Sequence, residues 1–240
     1  MSKLPLPRIV CAVNYVPKFK DPIKQERQKV AMDVLAENKP SNVEIVSFNF
    51  VDEAVEEAHL PSCFRIFKML KRDSKKEIGG KISFPFVKEI ADLCSQLRRF
   101  DYFCLMNSDI LLTKDFFNVF NKDIGAYIFY RTDITKVSVK SFNNKDFRVV
   151  WNEHPGNDCF GFQKKWWLKN RQYFHDGLCL GNTEWDTYWR YLIKHLAKNC
   201  MIKRSLYHVY HDAKWPLTSE VALNNIAIWN ELKEKLGLNV

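Results

Sequence analysis

The sequence predicts an α/β domain with a central mixed, mostly parallel sheet flanked by helices. An apolar run at residues 8–15 has the composition of a buried first strand. A charged segment at 22–37 has helical character, and residues 43–48 are typical of a second strand. This β-α-β order is characteristic of a doubly wound sheet.

The middle of the chain continues with two predicted helices and a strand. Residues 62–71 are predicted as a short helix. The polar stretch 71–81 is predicted either to order over a ligand or to be a plain surface loop. A helix is predicted to start at Ser83, with Pro85 in its first turn, where a missing N–H does no harm. Residues 100–106 then form a predicted buried strand.

The second half is less regular. Strands are predicted at 126–130, 158–163 and 206–211, with a Lys- and Trp-rich helix after the second of them and another helix at 184–196. The last helix is predicted at 219–235, with Ser219 as its N-cap and Gly237 past its end.

Length and composition favour one globular domain with a moderate attraction for polyanions. The chain has 240 residues, of which 46% are hydrophobic and 27% charged. Its net charge of +9 suits phosphate-bearing ligands. The basic residues are interleaved with acids, however, which argues against sequence-directed DNA binding.

The cysteines and the N-terminus indicate an intracellular protein. The seven cysteines are odd in number and form no CxxC pair, so we predict buried, reduced thiols and no cysteine zinc site. The apolar run near the N-terminus is too short for a signal peptide or a membrane span. We therefore expect the protein in the cytoplasm.

A polar triplet follows the predicted strand at 100–106. Asn107, Ser108 and Asp109 stand at its carboxyl end, where open α/β sheets place ligand chemistry. Two oxygen-bearing side chains flanking one residue can hold Mn²⁺ or Mg²⁺ while leaving positions open for phosphate. Ordinary turn chemistry is the alternative explanation of the triplet.

Two histidines near the end of the chain are candidate metal ligands. His208 and His211 are followed by Asp212, and imidazole can complete the coordination of a metal such as manganese. Positions three apart on a strand point to opposite faces, so both can be ligands only if the strand breaks there. We favour His211, beside the polar Asp212, as the metal ligand. His208 is kept as a second candidate, for binding either the metal or a substrate that donates its group. A structural role remains open for each histidine.

A second group of candidate catalytic residues is acidic. Glu184 and Asp186 stand at the start of a predicted helix, where an acid serves either as a cap or as a general base. Trp185 between them offers a face for a sugar ring or for packing. Asp158 is a further acid that we expect in the same crevice.

Together these segments resemble glycosyltransferases of the GT-A type that carry an "NSDI" form of the DxD motif. The resemblance extends over residues 7–215. It is carried by five runs in matching order: FPFVKEI at 84–90, YFCLMNSDI at 102–110, DCFGF at 158–162, LGNTEWD at 180–186 and YHVYH at 207–211.

The resemblance implies a GT-A-like (Rossmann-like) domain with a nucleotide-binding half at about 7–113 and an acceptor-side half at about 114–240. It implies a nucleotide-sugar donor and a divalent metal, Mn²⁺ or Mg²⁺, held by Asp109 and a C-terminal histidine. Asp186 matches the acceptor-side acid of inverting members. Asn107 stands where the motif has its first acid, which removes one negative charge from the metal site.

The donor contacts follow from position and charge. Asn14, at the end of the first strand, is placed to meet the nucleotide. Arg65 and Lys88 are candidates for pairing with the diphosphate, beside Asn107 and Ser108. Each cation is equally compatible with a solvated surface position.

Several functions remain open at this level. A saccharide, a protein or a modified DNA base would each serve as the hydroxyl acceptor. A nucleotidyltransferase would need a glycine-rich loop after the first strand. Residues 14–17 contain no glycine, which argues against that function. Asn107 also permits a non-catalytic module that binds nucleotide sugars, and the net charge permits a nucleic-acid-binding protein.

Overall fold

The computed structural model describes residues 6–58, 60–152, 156–211 and 217–238. The strands are β1 (Ile9–Val13), β2 (Val43–Asn49), β3 (Phe64–Lys68), β4 (Tyr102–Met106), β5 (Ile110–Leu112), β6 (Ala126–Ile134), β7 (Val149–Trp151), β8 (Cys159–Gln163) and β9 (Cys200–Val209). The α-helices are α1 (Pro22–Asn38), α2 (Ser74–Glu77), α3 (Val87–Gln96), α4 (Val139–Asn143), α5 (Lys164–Asn170), α6 (Trp185–Leu196) and α7 (Glu220–Leu236). Short 3₁₀ turns span Val55–Ala58, Phe116–Val119 and Arg171–Tyr173.

All nine of these strands join one sheet, in the order β3-β2-β1-β4-β8-β6-β9-β5, with β7 paired to β6. Strands β1 to β4, β6 and β9 run in one direction, whereas β5, β7 and β8 run in the other. The predicted α/β fold with a mixed, mostly parallel sheet is therefore confirmed.

The sheet is strongly curled. Strand β5 is four positions away from β4 in the sheet order, about 19 Å if the sheet were flat. The chain nevertheless passes from Met106 to Ile110 in four steps, which span at most about 14 Å. Because the chain bridges this gap, the sheet must bend until β5 lies beside the carboxyl end of β4.

Helices cover both faces of the sheet and enclose two apolar cores. One core packs α1, α4 and the turn at Phe116–Val119 against the sheet, and the other packs α3, α5, α6 and α7 against the opposite face. The central strands are buried on both sides, which explains why β1 and β4 are continuous apolar runs. In α6 the buried Trp185, Tyr188 and Trp189 follow the helical spacing of an inward face.

The helix ends follow the capping signals in the sequence. The Asp21 carboxylate accepts the Lys24 N–H before α1, with Pro22 in the first turn. Ser219 caps α7 as predicted, and Gly237 ends that helix with a φ of 64° in the left-handed region that glycine adopts readily.

Two predicted elements are wrong. The segment at 62–71 contains strand β3, not a helix, and it extends the sheet by pairing in parallel with β2. The helix predicted from Ser83 begins only at Val87, because Pro85 and Phe86 form extended bridges to Asp73 and Cys179.

Other segments are more structured than the sequence indicated. The stretch at 71–81 contains α2, capped by the Asp73 side chain, and is tied by Ser83 Oγ to the Asp73 carboxylate at 3.0 Å. Strand β6 continues past residue 130, and β9 begins at Cys200. The short elements β5, β7 and α4 had no sequence prediction.

Candidate active site

The turn after β4 carries Asp109 to the end of β9. Ile110 pairs with His208 in the β5–β9 ladder, so the residue before Ile110 lies beside that histidine. His211 lies past the end of β9 at Val209, where the strand no longer imposes alternation. The strand thus ends between the two histidines, which would point to opposite faces of the sheet if it continued. Both side chains therefore approach Asp109.

Asp109, His208 and His211 form a three-residue cluster. One ligand atom from each lies within 4.8 Å of the others. Asp109 Oδ2 is 3.4 Å from His208 Nε2 and 4.0 Å from His211 Nε2. Asp212, the next residue, lies outside the described residues.

Asp133 orients the His208 ring. Its Oδ1 is 2.8 Å from His208 Nδ1, and both side chains are almost fully buried. In the neutral form of the ring, with the proton on Nδ1, the Nε2 lone pair is on the side of Asp109. A carboxylate behind a histidine is the usual arrangement that fixes the tautomer and orientation of a metal ligand.

A bulge in β9 makes this contact possible. Tyr130 pairs with Arg204, but Arg131 pairs with Leu206, so Ser205 is an extra residue in the ladder. Without this shift Asp133 would lie opposite a tyrosine rather than opposite His208, because the register would be displaced by one residue.

Burial and the charges within the cluster shift the pKa values of all three residues. Burial lowers the pKa of His208, but the carboxylates of Asp109 and Asp133 outweigh it and raise this pKa to about 9. Burial raises the pKa of Asp109, yet its contact with His208 leaves the pKa well below the usual range. Burial and the neighbouring His208 charge lower the pKa of His211 to about 4. Neutral His211 therefore presents a free lone pair at physiological pH.

Arg131 links this cluster to the predicted acid Asp158. Its Nε is 3.2 Å from Asp133 Oδ1, and its Nη1 donates to Asp158 Oδ2 at 2.7 Å. The other oxygen of Asp158 accepts from Asn107 Nδ2 at 2.6 Å, and the backbone carbonyl of Asp158 accepts the Asn107 N–H at 3.0 Å. Both carboxylate oxygens of Asp158 are thus engaged within the protein.

Asp186 contacts the segment that carries Asp158. Its Oδ2 accepts the backbone N–H of Asn157 at 2.9 Å. Burial raises the pKa of Asp186 to about 6, the nearby charge of Asp158 adds to this, and the Asn157 N–H opposes it. A carboxyl group poised near neutrality is typical of a general base. Glu184, two residues earlier, has a φ of 68°, an unusual left-handed conformation at the start of α6.

The other predicted donor-side residues lie at the same edge or are held elsewhere. Ser108 Oγ accepts from Gln28 Nε2 at 2.7 Å, which ties the turn to α1. Asn14 follows β1 at the carboxyl edge, and its amide donates to the Phe48 carbonyl at 2.7 Å. Arg65 lies near the other end of β3, ion-paired with Glu44.

Two further predicted residues have structural partners. Lys88 on α3 is ion-paired with Asp92 and Asp176, each at 2.9 Å. Trp185 is 3% exposed and packs against Phe160 in the core, so its ring faces protein and not solvent.

Sequence reasoning missed Arg131 and Asp133. The predicted strand stopped at residue 130, and the two charged residues that follow it were left without a role. The alternation of Arg131, Thr132 and Asp133 after an apolar strand was the available signal, since it is typical of a strand with one polar face.

No protein-family model and no curated protein matches the sequence, whereas solved structures match the fold. The structure of S. aureus TarS 1-349 in complex with UDP-GlcNAc aligns with a TM-score of 0.50 at 9% identity, covering 86% of this chain and 60% of that one. Mannosyltransferase PcManGT from Pyrobaculum calidifontis, in complex with GDP-Man and Mn²⁺, aligns with a TM-score of 0.50 at 12% identity, covering 87% and 58%. This chain therefore spans about three-fifths of the length of each neighbour.

These alignments establish the fold of the chain as that of GT-A glycosyltransferases, in agreement with the sequence resemblance. The helices of the described residues include none that is both long and apolar enough to cross a membrane.

Proposed function

We propose that this protein is a glycosyltransferase that moves a sugar from a nucleotide-sugar donor to an acceptor hydroxyl with the help of a divalent metal ion. The observation that carries the proposal is the cluster of Asp109, His208 and His211 at the carboxyl edge of a GT-A sheet. The nucleotide sugars bound in the two structural neighbours, and the Mn²⁺ bound in the mannosyltransferase, support the same assignment. In this proposal the donor lies on the half at 7–113 and the acceptor against the half at 114–240.

The cluster fits a divalent cation. One carboxylate and two imidazoles supply three ligand atoms, and His208 is oriented by Asp133 as a ligand would be. Such a mixed oxygen and nitrogen set suits Mn²⁺ and leaves coordination positions open for phosphate. When bound, the ion would neutralise the charge that develops on the departing diphosphate.

Asn107 has a positioning role in this proposal. Its amide donates to Asp158. The first position of the motif therefore holds the Asp158 carboxylate in place and adds no second negative charge to the proposed metal site. Asp158, clamped by Asn107 and Arg131, fixes the segment that presents Asn157 to Asp186.

Asp186 is the proposed general base. With a pKa of about 6 it is mostly ionised at neutral pH, yet basic enough to accept a proton. The acceptor oxygen would attack the anomeric carbon of the donor as its proton passes to Asp186. The bond from that carbon to the nucleotide diphosphate would break at the same time, and its electron pair would leave with the diphosphate. The Asn157 N–H holds Oδ2 and so fixes the orientation of the carboxylate.

A thermal-shift screen of nucleotide sugars with and without Mn²⁺ tests the proposal on wild type and Asp109→Ala. Stabilisation by one nucleotide sugar that needs Mn²⁺ and is lost in the variant is expected, because a ligand that binds only the folded state raises the melting temperature. Asp115→Ala is the matched control, since Asp115 is an exposed carboxylate that makes no capping hydrogen bond. A folded wild type that responds to no nucleotide sugar would contradict the proposal.

A non-catalytic binding module is the second candidate, and Asn107 favours it because the motif lacks its first acid. Release of free nucleotide from the stabilising donor separates the two. The transferase releases nucleotide slowly even when water is the acceptor, and Asp109→Ala abolishes this release. The module binds donor with no turnover.

A further inference from the structure

Arg27, in the second turn of α1, differs from the other cations considered for the donor site. Arg65 and Lys88 are ion-paired with acids, and Arg131 is held between two aspartates. Within the part of the chain that the structure describes, the Arg27 side chain forms no hydrogen bond or ion pair, and its Nε is buried without a partner. A partly buried guanidinium with no acid paired to it is suited to binding an anion.

Two contacts of α1 place Arg27 at the edge of the sheet where the metal cluster lies. Gln28, the next residue, donates from Nε2 to Ser108 Oγ at 2.7 Å, and Ser108 lies in the turn between β4 and β5. Glu26, the preceding residue, is ion-paired at 2.8 Å with Lys136, just past the end of β6. Because successive helical residues are about 100° apart around the axis, Arg27 projects from α1 between these two contacts.

The charge of Arg27 acts on His211, a member of the metal cluster. Burial and the charge of His208 are the main causes that lower the pKa of His211, and the positive charge of Arg27 lowers it further. Such an effect requires the guanidinium to lie near the imidazole, because interactions between charges weaken with distance and with screening by solvent. Arg27 therefore approaches the cluster from the side of α1.

Gln28 adds a second polar atom with unused hydrogen-bonding capacity at this place. The residue is only 8% exposed, and its Oε1 is a buried acceptor that has no hydrogen-bond partner. Buried polar atoms in folded proteins are hydrogen-bonded with few exceptions. Two such exceptions on successive residues, beside the turn that carries Asp109, indicate a segment that binds a polar ligand.

A diphosphate is the anion that this position favours. The proposed metal ion leaves coordination positions open for phosphate, and a diphosphate bound there would bring further phosphate oxygens to the side of α1. The planar guanidinium of an arginine matches phosphate oxygens with two parallel hydrogen bonds. The acids Asp133 and Asp158 do not compete for Arg27, because Arg131 already pairs with both.

We propose that Arg27 binds the diphosphate of the nucleotide-sugar donor beside the metal ion. This rests on the proposed glycosyltransferase function, and it assigns to the donor site a cation in place of Arg65 and Lys88, which are ion-paired elsewhere. Arg27 and the metal ion are both positive, so they repel each other until the diphosphate binds to both. Arg27 thus strengthens the binding of nucleotide and does not strengthen the binding of metal alone.

Isothermal titration calorimetry with UDP, GDP, ADP and CDP, each with and without Mn²⁺, tests this assignment. Wild type is expected to bind at least one of them in the presence of Mn²⁺. Arg27→Ala should bind the same nucleotide about 10- to 100-fold more weakly, as is usual when hydrogen bonds to a charged group are lost. Arg27→Lys should have an intermediate affinity, because it keeps the charge and loses the planar fork of donors.

Mn²⁺ alone and a second variant of α1 supply the controls. Arg27→Ala should bind Mn²⁺ without nucleotide as tightly as wild type or more tightly, since a positive charge near the cluster is removed. Lys29→Ala removes one positive charge from the same helix, where Lys29 is exposed and ion-paired with Asp33. It should bind the nucleotide as wild type does. Alanine favours helix, so both variants should fold.

Two outcomes would overturn the role of Arg27 and leave the proposed function intact: Arg27→Ala binds nucleotide with Mn²⁺ as tightly as wild type, or it loses affinity for Mn²⁺ alone to the same extent. A third result would separate the two proposals in the other direction. If wild type binds no nucleoside diphosphate with Mn²⁺ but binds inorganic pyrophosphate without metal, and Arg27→Ala does not, the transferase function is wrong and the diphosphate site remains. If wild type binds neither, both proposals are wrong.

Discussion

At the scale of single residues, the site is built from side chains that fix one another. Asp133 fixes the His208 ring, Arg131 joins Asp133 to Asp158, and Asp158 in turn holds Asn107. None of these contacts requires a ligand. The groups that would meet metal and substrate are therefore oriented before either arrives, which lowers the entropic cost of binding.

Metal binding should release a proton and strengthen with pH. Because the two carboxylates raise the pKa of His208 to about 9, Mn²⁺ must displace a proton below that pH. We expect the apparent affinity to rise about tenfold per pH unit from pH 7 to 9, with close to one proton released. Calorimetry in buffers of different ionisation enthalpy measures this number.

Asp133→Asn is the informative variant for the same experiment. It removes one of the carboxylates that raise the pKa of His208, so the pH dependence should move to lower pH. The affinity on the plateau should fall about 10- to 100-fold, as is usual when the partner behind a ligating histidine is lost. An unchanged affinity and pH profile would mean that His208 is not a ligand.

The ionised form of Asp186 should lower the stability of the fold while it supports transfer activity. Its pKa of about 6 in the folded state lies above the ordinary value of 3.8, so the fold favours the protonated form. Its contribution to stability is therefore fully present below pH 3.8 and is lost as the pH rises to about 6. Asp186→Asn should gain up to about 3 kcal/mol of stability relative to wild type at pH 7, and should lose transfer activity about 100-fold or more.

Urea unfolding of both proteins at pH 4 and pH 7 checks this prediction. The gain of Asp186→Asn should be present at pH 7 and small at pH 4, where the wild-type carboxyl is protonated. Wild-type activity should rise with pH to a plateau above about pH 6. A variant that is less stable than wild type at pH 7 would show that the carboxylate is favoured by the fold.

At the scale of elements, the sequence was informative where a segment is buried on both sides. Strands β1 and β4 were predictable because parallel central strands are continuous apolar runs. Strand β2 was predictable from its Val and Ile residues, although it includes polar positions. Strand β3 lies at the sheet edge and alternates Phe64, Arg65 and Ile66, which was mistaken for a helix face because the segment is short. The three-residue strands β5 and β7 are too short to carry any periodic signal.

The cluster of Asp109, His208 and His211 was predictable only in part, because long-range strand pairing builds it. Asp109 and His211 were predicted as metal ligands from residue type and position. The nearness of His208 depended on where β9 ends and on the bulge at Ser205, and these are set by pairing with β6 and β5 rather than by local sequence. Arg131 and Asp133 lie on the part of β6 that the prediction left out.

Gly161 on β8 is required by the packing of its neighbours. A Cβ there would lie 2.8 Å from Phe120 Cε1 and 3.2 Å from Tyr127 Cβ. Gly161→Ala should destabilise the protein by about 1–3 kcal/mol through overpacking, with the Mn²⁺ affinity unchanged. Urea unfolding measures the loss. Phe120→Leu shortens the clashing ring, so the double variant should be less destabilised than the sum of the two single changes.

At the scale of the whole molecule, a metal ion would join parts of the sheet that lie far apart in the chain. Asp109 comes from the turn after central β4, whereas both histidines come from the end of β9. The curl of the sheet brings these ends together, and the three-residue turn between β4 and β5 is the covalent link that holds them. Ligation at this point would add a second link.

Mn²⁺ alone should therefore stabilise the fold. At a concentration one hundred times its dissociation constant it should add about 2.7 kcal/mol, which corresponds to a rise in melting temperature of roughly 5–10 °C for a chain of this size. A chelator should reverse the rise in wild type and in Asp115→Ala. Asp109→Ala and His211→Ala should show little of it, since each lacks one of three ligands. An equal rise in Asp109→Ala would place the stabilising ion elsewhere on the protein and separate it from the proposed chemistry.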